Sequence, residues 1–189
     1  MRNDSEARLI LPVMAPFYDR VARPMAHLGL RLMVGGLLVF EGWPKILAPF
    51  SMAIFTEDMG LYPGWLWSAI LAVMQFVGGV LILLGFLTRP AALANGVMLA
   101  VTYWFHLAHP YGDVFLTADG LGAARAAGQN LFTEDGMRQL AGDGGAVFLE
   151  QVQFKAEGLS ALWTVAAFWL AAFGAGNFSV DRTLLKREF

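Results

Sequence analysis

The chain has 189 residues, 57% of them apolar and 15% charged, with a formal charge of −2. A soluble domain carries about 25% charge, so this composition describes a membrane protein with room for one domain. The charge balance and the lack of a basic stripe exclude a nucleic-acid partner. The absence of cysteine excludes disulfides, thiolate catalysis and Cys-ligated zinc or iron–sulfur clusters.

Residues 1–26 read as a cytoplasmic or interfacial segment. Acidic and basic residues alternate there (Arg2, Asp4, Glu6, Arg8) and no apolar h-region follows, unlike a cleaved signal. The apolar piece 9–17 is broken by Pro12 and Pro16. It is too short to span and is expected to lie on the membrane surface.

Four long apolar stretches follow, at 28–47, 65–87, 91–108 and 159–174. A helix of roughly 20 apolar residues crosses the hydrocarbon of a bilayer. The expected fold is therefore an all-α, four-helix transmembrane bundle. The Thr88-Arg89-Pro90 turn makes the second and third spans an antiparallel hairpin, and Pro90 falls near the start of the third helix, where its missing N–H costs little.

Basic residues sort by side. Arg2, Arg8, Arg20, Arg23, Arg89, Arg182, Lys186 and Arg187 share one face, against Arg125, Arg138 and Lys155 on the other. The positive-inside rule then places both termini in the cytoplasm of a bacterial inner membrane. The lipid bilayer is the first partner, other membrane subunits are expected, and a homo-oligomer is compatible with the pattern. Residues 109–156 form a long, acidic, Gly-rich exterior loop. Thr117 and Thr133 are placed to cap short helices at 118–127 and 134–141. The loop reads as a docking cap or as a solvated linker.

Charged groups in a span are a functional hypothesis by default. The first span holds Arg31, Glu41 and Lys45. At about 100° per residue, Glu41 and Lys45 lie about 40° apart and Arg31 about 80° from Glu41, so one face carries all three. That face is expected to point inward. Arg31 is near enough to the cytoplasmic end to snorkel. Glu41 and Lys45 form an i,i+4 pair, either a structural ion pair or part of a polar pocket. The third span ends with His106 and His109, and Glu157 opens the fourth on the same side. Glu41, Lys45, His106, His109 and Glu157 thus arrive at one depth from three helices.

Such a cluster admits three chemistries. A metal suits two imidazoles and a carboxylate, but Lys45 repels a cation and no metal is assigned. A quinone headgroup suits a Lys or His donor and a proton-accepting carboxylate or His. Plain helix-end polarity is the third. His27, at the far end of the first span, is too distant from His106 to share a haem. Gln75, mid-span in the second helix, reads as an interhelical hydrogen bond or as a member of the pocket. If a carrier site exists, Glu41, Lys45 and His106 line an open pocket. If they are fully paired with no cavity beside them, it does not.

The glycines at 29, 35, 36, 78, 79 and 85 permit close helix approach. Gly174 and Gly176 allow a left-handed stop to the fourth helix. An Arg89–Asp181 contact is expected to clamp that end to the hairpin.

In this order, Arg31-x3-Gly35, Gly42-x2-Lys45, Gly78-Gly79, Gly85-Phe86-Leu87-Thr88-Arg89, His109-x2-Gly112 and Gly174-x-Gly176-x-Phe178-Ser179-x-Asp181 resemble the DoxX-like membrane protein family. The resemblance implies a four-helix membrane domain over 1–189 with both termini inside. The family takes its name from a small subunit associated with a thiosulfate:quinone oxidoreductase, and other members look like accessory subunits of redox or thiol-stress complexes. A quinone-linked accessory subunit is the function so implied, with a non-catalytic scaffold as the alternative. Two features depart from that pattern. Gln75 stands where relatives often carry Glu, and the loop before Glu157 is longer than in short members.

Overall fold

A computed structural model describes residues 11–109, 133–142 and 146–186. Every regular element among them is helical. Helix α1 runs Arg23–Leu47, α2 Ala53–Asp58, α3 Gly64–Leu84, α4 Thr88–Ala108, α5 Glu134–Gly142 and α6 Ala146–Phe173. A π-helical turn at Tyr18–Ala22 and a helical turn at Ala15–Phe17 extend α1 without interruption toward the N-terminus. Among the described residues, four helical stretches are long and apolar enough to cross a membrane: Ala15–Leu47, Gly64–Leu84, Thr88–Ala108 and Ala146–Phe173. The chain is an integral membrane protein.

The described residues form two compact units, one comprising those up to Asn95 and from Ala166 onward, the other Gly96–Val165. In the first unit α1 packs along α3. The buried stripe of α1 is Arg31, Val34, Gly35, Leu38 and Gly42, a spacing of three, four and seven that keeps one face of a helix inward. Its glycines set the approach. A Cβ built on Gly35 would fall 2.7 Å from the backbone nitrogen of Leu83, and one on Gly42 2.6 Å from that of Phe76. Only hydrogen fits at these two places, so the backbones touch.

Local chemistry fixes the ends. Gly85 closes α3 at φ +73°. Gly85 N–H donates to Ile82 (3.0 Å) and Phe86 N–H to Leu81 (2.9 Å), the paired bonds of a Schellman stop. Between α1 and α3, Ser68 Oγ donates to the Pro49 carbonyl at 2.7 Å. The Glu57 carboxylate accepts the Gly64 N–H at 2.9 Å, satisfying an orphan donor at the start of α3.

Several boundaries differ from the sequence expectation. Helix α4 begins at Thr88, so Pro90 is its third residue; its missing N–H is still one of the first-turn orphans. Helix α6 begins at Ala146, well before 159. Residues 146–157 are mostly good helix formers without Gly or Pro, but Glu150, Gln151, Gln153 and Lys155 lower the apolarity that marked the span. In the described part of the 9–17 segment, the helical residues from Ala15 are continuous with α1. Thr133 Oγ1 accepts the Gly136 N–H at 3.1 Å at the start of α5. The helix expected at 118–127 lies outside the described residues.

Candidate functional site

The polar residues of α1 divide by direction. Arg31 points inward with 4% of its surface exposed. Its Nη1 donates to the Ala175 carbonyl at 2.8 Å. One turn earlier, His27 Nε2 lies 2.7 Å from the Gly174 carbonyl. Two basic side chains of α1 thus meet the last carbonyls of the chain leaving α6, where the helix dipole is negative. Arg31 therefore reaches an acceptor inside the fold and has no need to snorkel.

Asp181 completes this corner. It is 1% exposed, and its carboxylate accepts the N–H groups of Leu87 (3.0 Å) and Thr88 (3.3 Å). Its own N–H donates to the Gly85 carbonyl at 2.9 Å. The hairpin is held through its backbone amides at the start of α4, where an anion is favoured. The Arg89 side chain is exposed.

Toward the other end of α1, Lys45 Nζ donates to Gln75 Oε1 at 2.8 Å. Gln75 is buried in α3. On its outer side Lys45 Nζ lies 4.0 Å from Glu41 Oε2. The Lys45 side chain is 21% exposed and that of Glu41 49%. Glu41 does not share the inward direction of Arg31. It lines an outward-facing groove of 460 Å³ with Gly36, Val39, Phe40, Trp43 and Pro44. That volume lies within the ~300–1,000 Å³ typical of small-molecule sites. Pro44 also has no N–H to give the Phe40 carbonyl one turn back. A polar chain thus runs from a buried amide, through an ammonium, to a carboxylate on the wall of an apolar groove.

His106, His109 and Glu157 belong to the second unit. Gln153 Nε2 donates to the His106 carbonyl (2.6 Å) and to Glu157 Oε1 (2.5 Å), tying α6 to α4. His109 stacks on Phe105, ring centroids 4.4 Å apart. Its Nδ1 lies 3.3 Å from the Phe105 carbonyl at the end of α4. The six candidate residues therefore fall into two sets, Glu41, Lys45 and Gln75 in one unit and His106, His109 and Glu157 in the other. Among the described residues, no three His, Asp or Glu side chains come together in a metal-holding group.

Sequence reasoning missed Gln153, which sits i−4 from Glu157 on a helix that was expected to start later. It also missed Asn95, 1% exposed, whose Nδ2 donates to the carbonyls of Met74 (3.1 Å) and Ala91 (2.9 Å). The signal was present: an Asn amid apolar helix residues is buried only if its amide finds partners.

The model of the DoxX family matches residues 26–108, from just before the Arg31 stripe to the end of α4. The matched segment is similar to a DoxX domain. It contains Arg31, Glu41, Lys45, Gln75, Arg89 and His106. His109, Glu157 and Asp181 lie beyond it. The chain is also similar to the inner membrane protein YqjF of Escherichia coli (strain K12), with 35% identity over 77 residues, 40% of this chain. The chain spans 58% of the length of that curated relative. No solved structure matches the chain.

Proposed function

We propose that this DoxX-domain protein is an accessory subunit of a redox complex in a bacterial inner membrane and contacts a quinone at the groove beside Glu41. The carrying observation is the Gln75–Lys45–Glu41 chain, which ends on the groove walled by Phe40 and Trp43. A quinone ring fits apolar and aromatic walls, and its oxygens exchange protons with a carboxylate or an ammonium. The side chains exposed along α1 offer entry from the lipid. The chain has no cysteine with which to carry electrons, so oxidation and reduction fall to a partner subunit. The name of the similar YqjF supports the inner membrane as the location. The excess of basic residues on one side supports cytoplasmic termini.

The experiment is quenching of tryptophan fluorescence by a short-chain ubiquinone, with the full chain in lipid nanodiscs. Saturable quenching is expected, with affinity several-fold weaker in Glu41→Gln. Linear, non-saturable quenching identical in both proteins would sink the quinone reading. A second reading, a scaffold with no small-molecule site, draws on Lys45 being already engaged by Gln75 and Glu41. It predicts that Lys45→Ala lowers stability while a co-purifying membrane subunit is lost.

A further inference from the structure

The first membrane-crossing stretch is too long for a bilayer. It runs Ala15–Leu47, 33 residues, or roughly 50 Å at 1.5 Å per residue. Hydrocarbon is about 30 Å thick, so the whole stretch would fit only at a tilt of roughly 50°, beyond the usual 0–40° range. It would also carry Asp19, Arg20 and Arg23 into lipid. Part of it must lie elsewhere.

The N-terminal part is built differently from the rest. No residue of Ala15–Phe17 or Tyr18–Ala22 is buried. Met14, Phe17, Tyr18, Val21 and Met25 are all exposed, between 37% and 49%. Their spacing of three, one, three and four confines them to an arc of about 100° on a helix. Asp19, Arg20 and Arg23 occupy the opposite side. Arg23 and Asp19 form an exposed ion pair at 2.8 Å. The first side chain along this helix to bond another part of the fold is His27. Among the described residues, no protein surface covers the apolar face of this amphipathic helix.

The helix is continuous there, but the junction with the span holds two features at which helices bend. Tyr18–Ala22 is π-helical and Pro24 follows at once. Pro24 gives no N–H to the Arg20 carbonyl, and both features are places where helices bend. Counted from Arg23, the remaining 25 residues are enough to cross the membrane.

We infer that residues 11–23 bend away at the Tyr18–Pro24 junction and lie in the phospholipid interface, with Phe17, Tyr18 and Val21 in the acyl boundary and Arg20 and Arg23 at the headgroup phosphates. Three observations select lipid as the occupant. The segment is continuous with a span, so it starts at the membrane surface. Its apolar arc is the narrow stripe of an interfacial helix. Its arginines stand opposite that stripe, toward phosphate and water, and basic groups near an anionic surface are attracted to it.

The absence of native cysteine makes the test direct. Single spin labels at Phe17→Cys and Val21→Cys, and at Asp19→Cys and Arg20→Cys, are placed in the full chain in nanodiscs of phosphatidylethanolamine and phosphatidylglycerol. Power saturation is measured with oxygen, which partitions into lipid, and with a water-soluble nickel chelate. These positions are exposed, so the packed core is left unaltered. The expected result is oxygen access with nickel exclusion at 17 and 21, and nickel access at 19 and 20. Equal nickel access at all four positions would mean a helix projecting into water and would overturn the inference. So would exclusion of both reagents at 17 and 21, which would mean coverage by protein.

Discussion

Substituting Ala at Gly35 and at Gly29 tests how α1 and α3 are held together. The two positions lie on one helix and receive the same added methyl. At Gly35 the new carbon meets Leu83 N at 2.7 Å, Gly79 O at 2.9 Å and Leu83 Cα at 2.9 Å, all backbone. Ordinary contact begins at 3.4 Å, so the helices must part by several tenths of an ångström along the crossing. Overpacking of this kind costs about 1–3 kcal/mol, and a backbone neighbour leaves no rotamer to relieve it. Ala gains about 0.5–1 kcal/mol over Gly as a helix residue, which offsets only part of that loss. At Gly29 nothing lies within 4 Å, so only the gain remains. Gly35→Ala is expected to be about 1–2 kcal/mol less stable than the parent, and Gly29→Ala slightly more stable. Reversible unfolding by sodium dodecyl sulfate in mixed micelles, followed by circular dichroism, reads the difference. Equal midpoints for the two variants would refute the claim that backbone contact at Gly35 sets the α1–α3 packing.

Asp181→Ala removes the acceptor for one buried and one part-buried amide and should cost about 1–3 kcal/mol, since a buried donor left unpaired carries its full desolvation penalty. Arg89→Ala, at an exposed side chain, should cost clearly less, and thermal unfolding of both in one detergent compares them. Lys45→Ala strands the buried Gln75 Oε1 and is expected to lose about 1–3 kcal/mol, while the double substitution Lys45→Ala with Gln75→Leu recovers most of it. Additive losses in that cycle would show that the 2.8 Å bond carries no coupling. Glu41→Gln removes a carboxylate from the outward face of a span and should leave the fold as stable as the parent or up to about 2 kcal/mol more stable. A loss above about 2 kcal/mol there would make Glu41 a structural residue, since surface changes do not cost so much.

Much of the fold is written into the apolar pattern. Length and hydropathy mark the four apolar stretches and Gly174 announces where α6 stops, whereas Gly85, read as a packing glycine inside a span reaching 87, is what ends α3. Direction around a helix is less legible. The helical wheel puts Arg31, Glu41 and Lys45 within about 80°, which looks like one face. Which part of that arc is buried depends on where α3 lies. The buried stripe centres close to Arg31. Glu41 falls about 80° from that centre and Lys45 about 40°. Four methylenes carry the Lys45 ammonium back under the helix to Gln75, whereas the shorter Glu41 stays outside. Contacts distant in sequence were legible only in part. From the sequence Asp181 is paired with Arg89, and nothing in the spacing tells that Asp181 accepts from the amides of Leu87 and Thr88, or that His27 and Arg31 meet the carbonyls of Gly174 and Ala175.

The ionisable residues of α1 show which polar groups the fold itself explains. Arg31 is buried and bonded to a carbonyl at a helix C-terminus, so its charge falls where the backbone is negative. Lys45 is bonded to a buried amide and joins α1 to α3. Each can be accounted for by architecture. Glu41 is different. Its carboxylate is half exposed on the outward face of a span, and the Lys45 ammonium is 4.0 Å away and already bonded to Gln75. A carboxylate at such a position costs up to about 3 kcal/mol in hydrocarbon, less toward the interface, and a pair at that distance returns only part of it. A neutral residue would fill the same place in the helix at lower cost. The groove beside Glu41, with aromatic walls and a carbonyl deprived of its donor by Pro44, is where the sequence spends stability without gaining packing. Departures of that kind concentrate where a protein binds something, and that is the physical ground on which the proposed quinone contact is put at Glu41 rather than among the better-satisfied polar groups of the core.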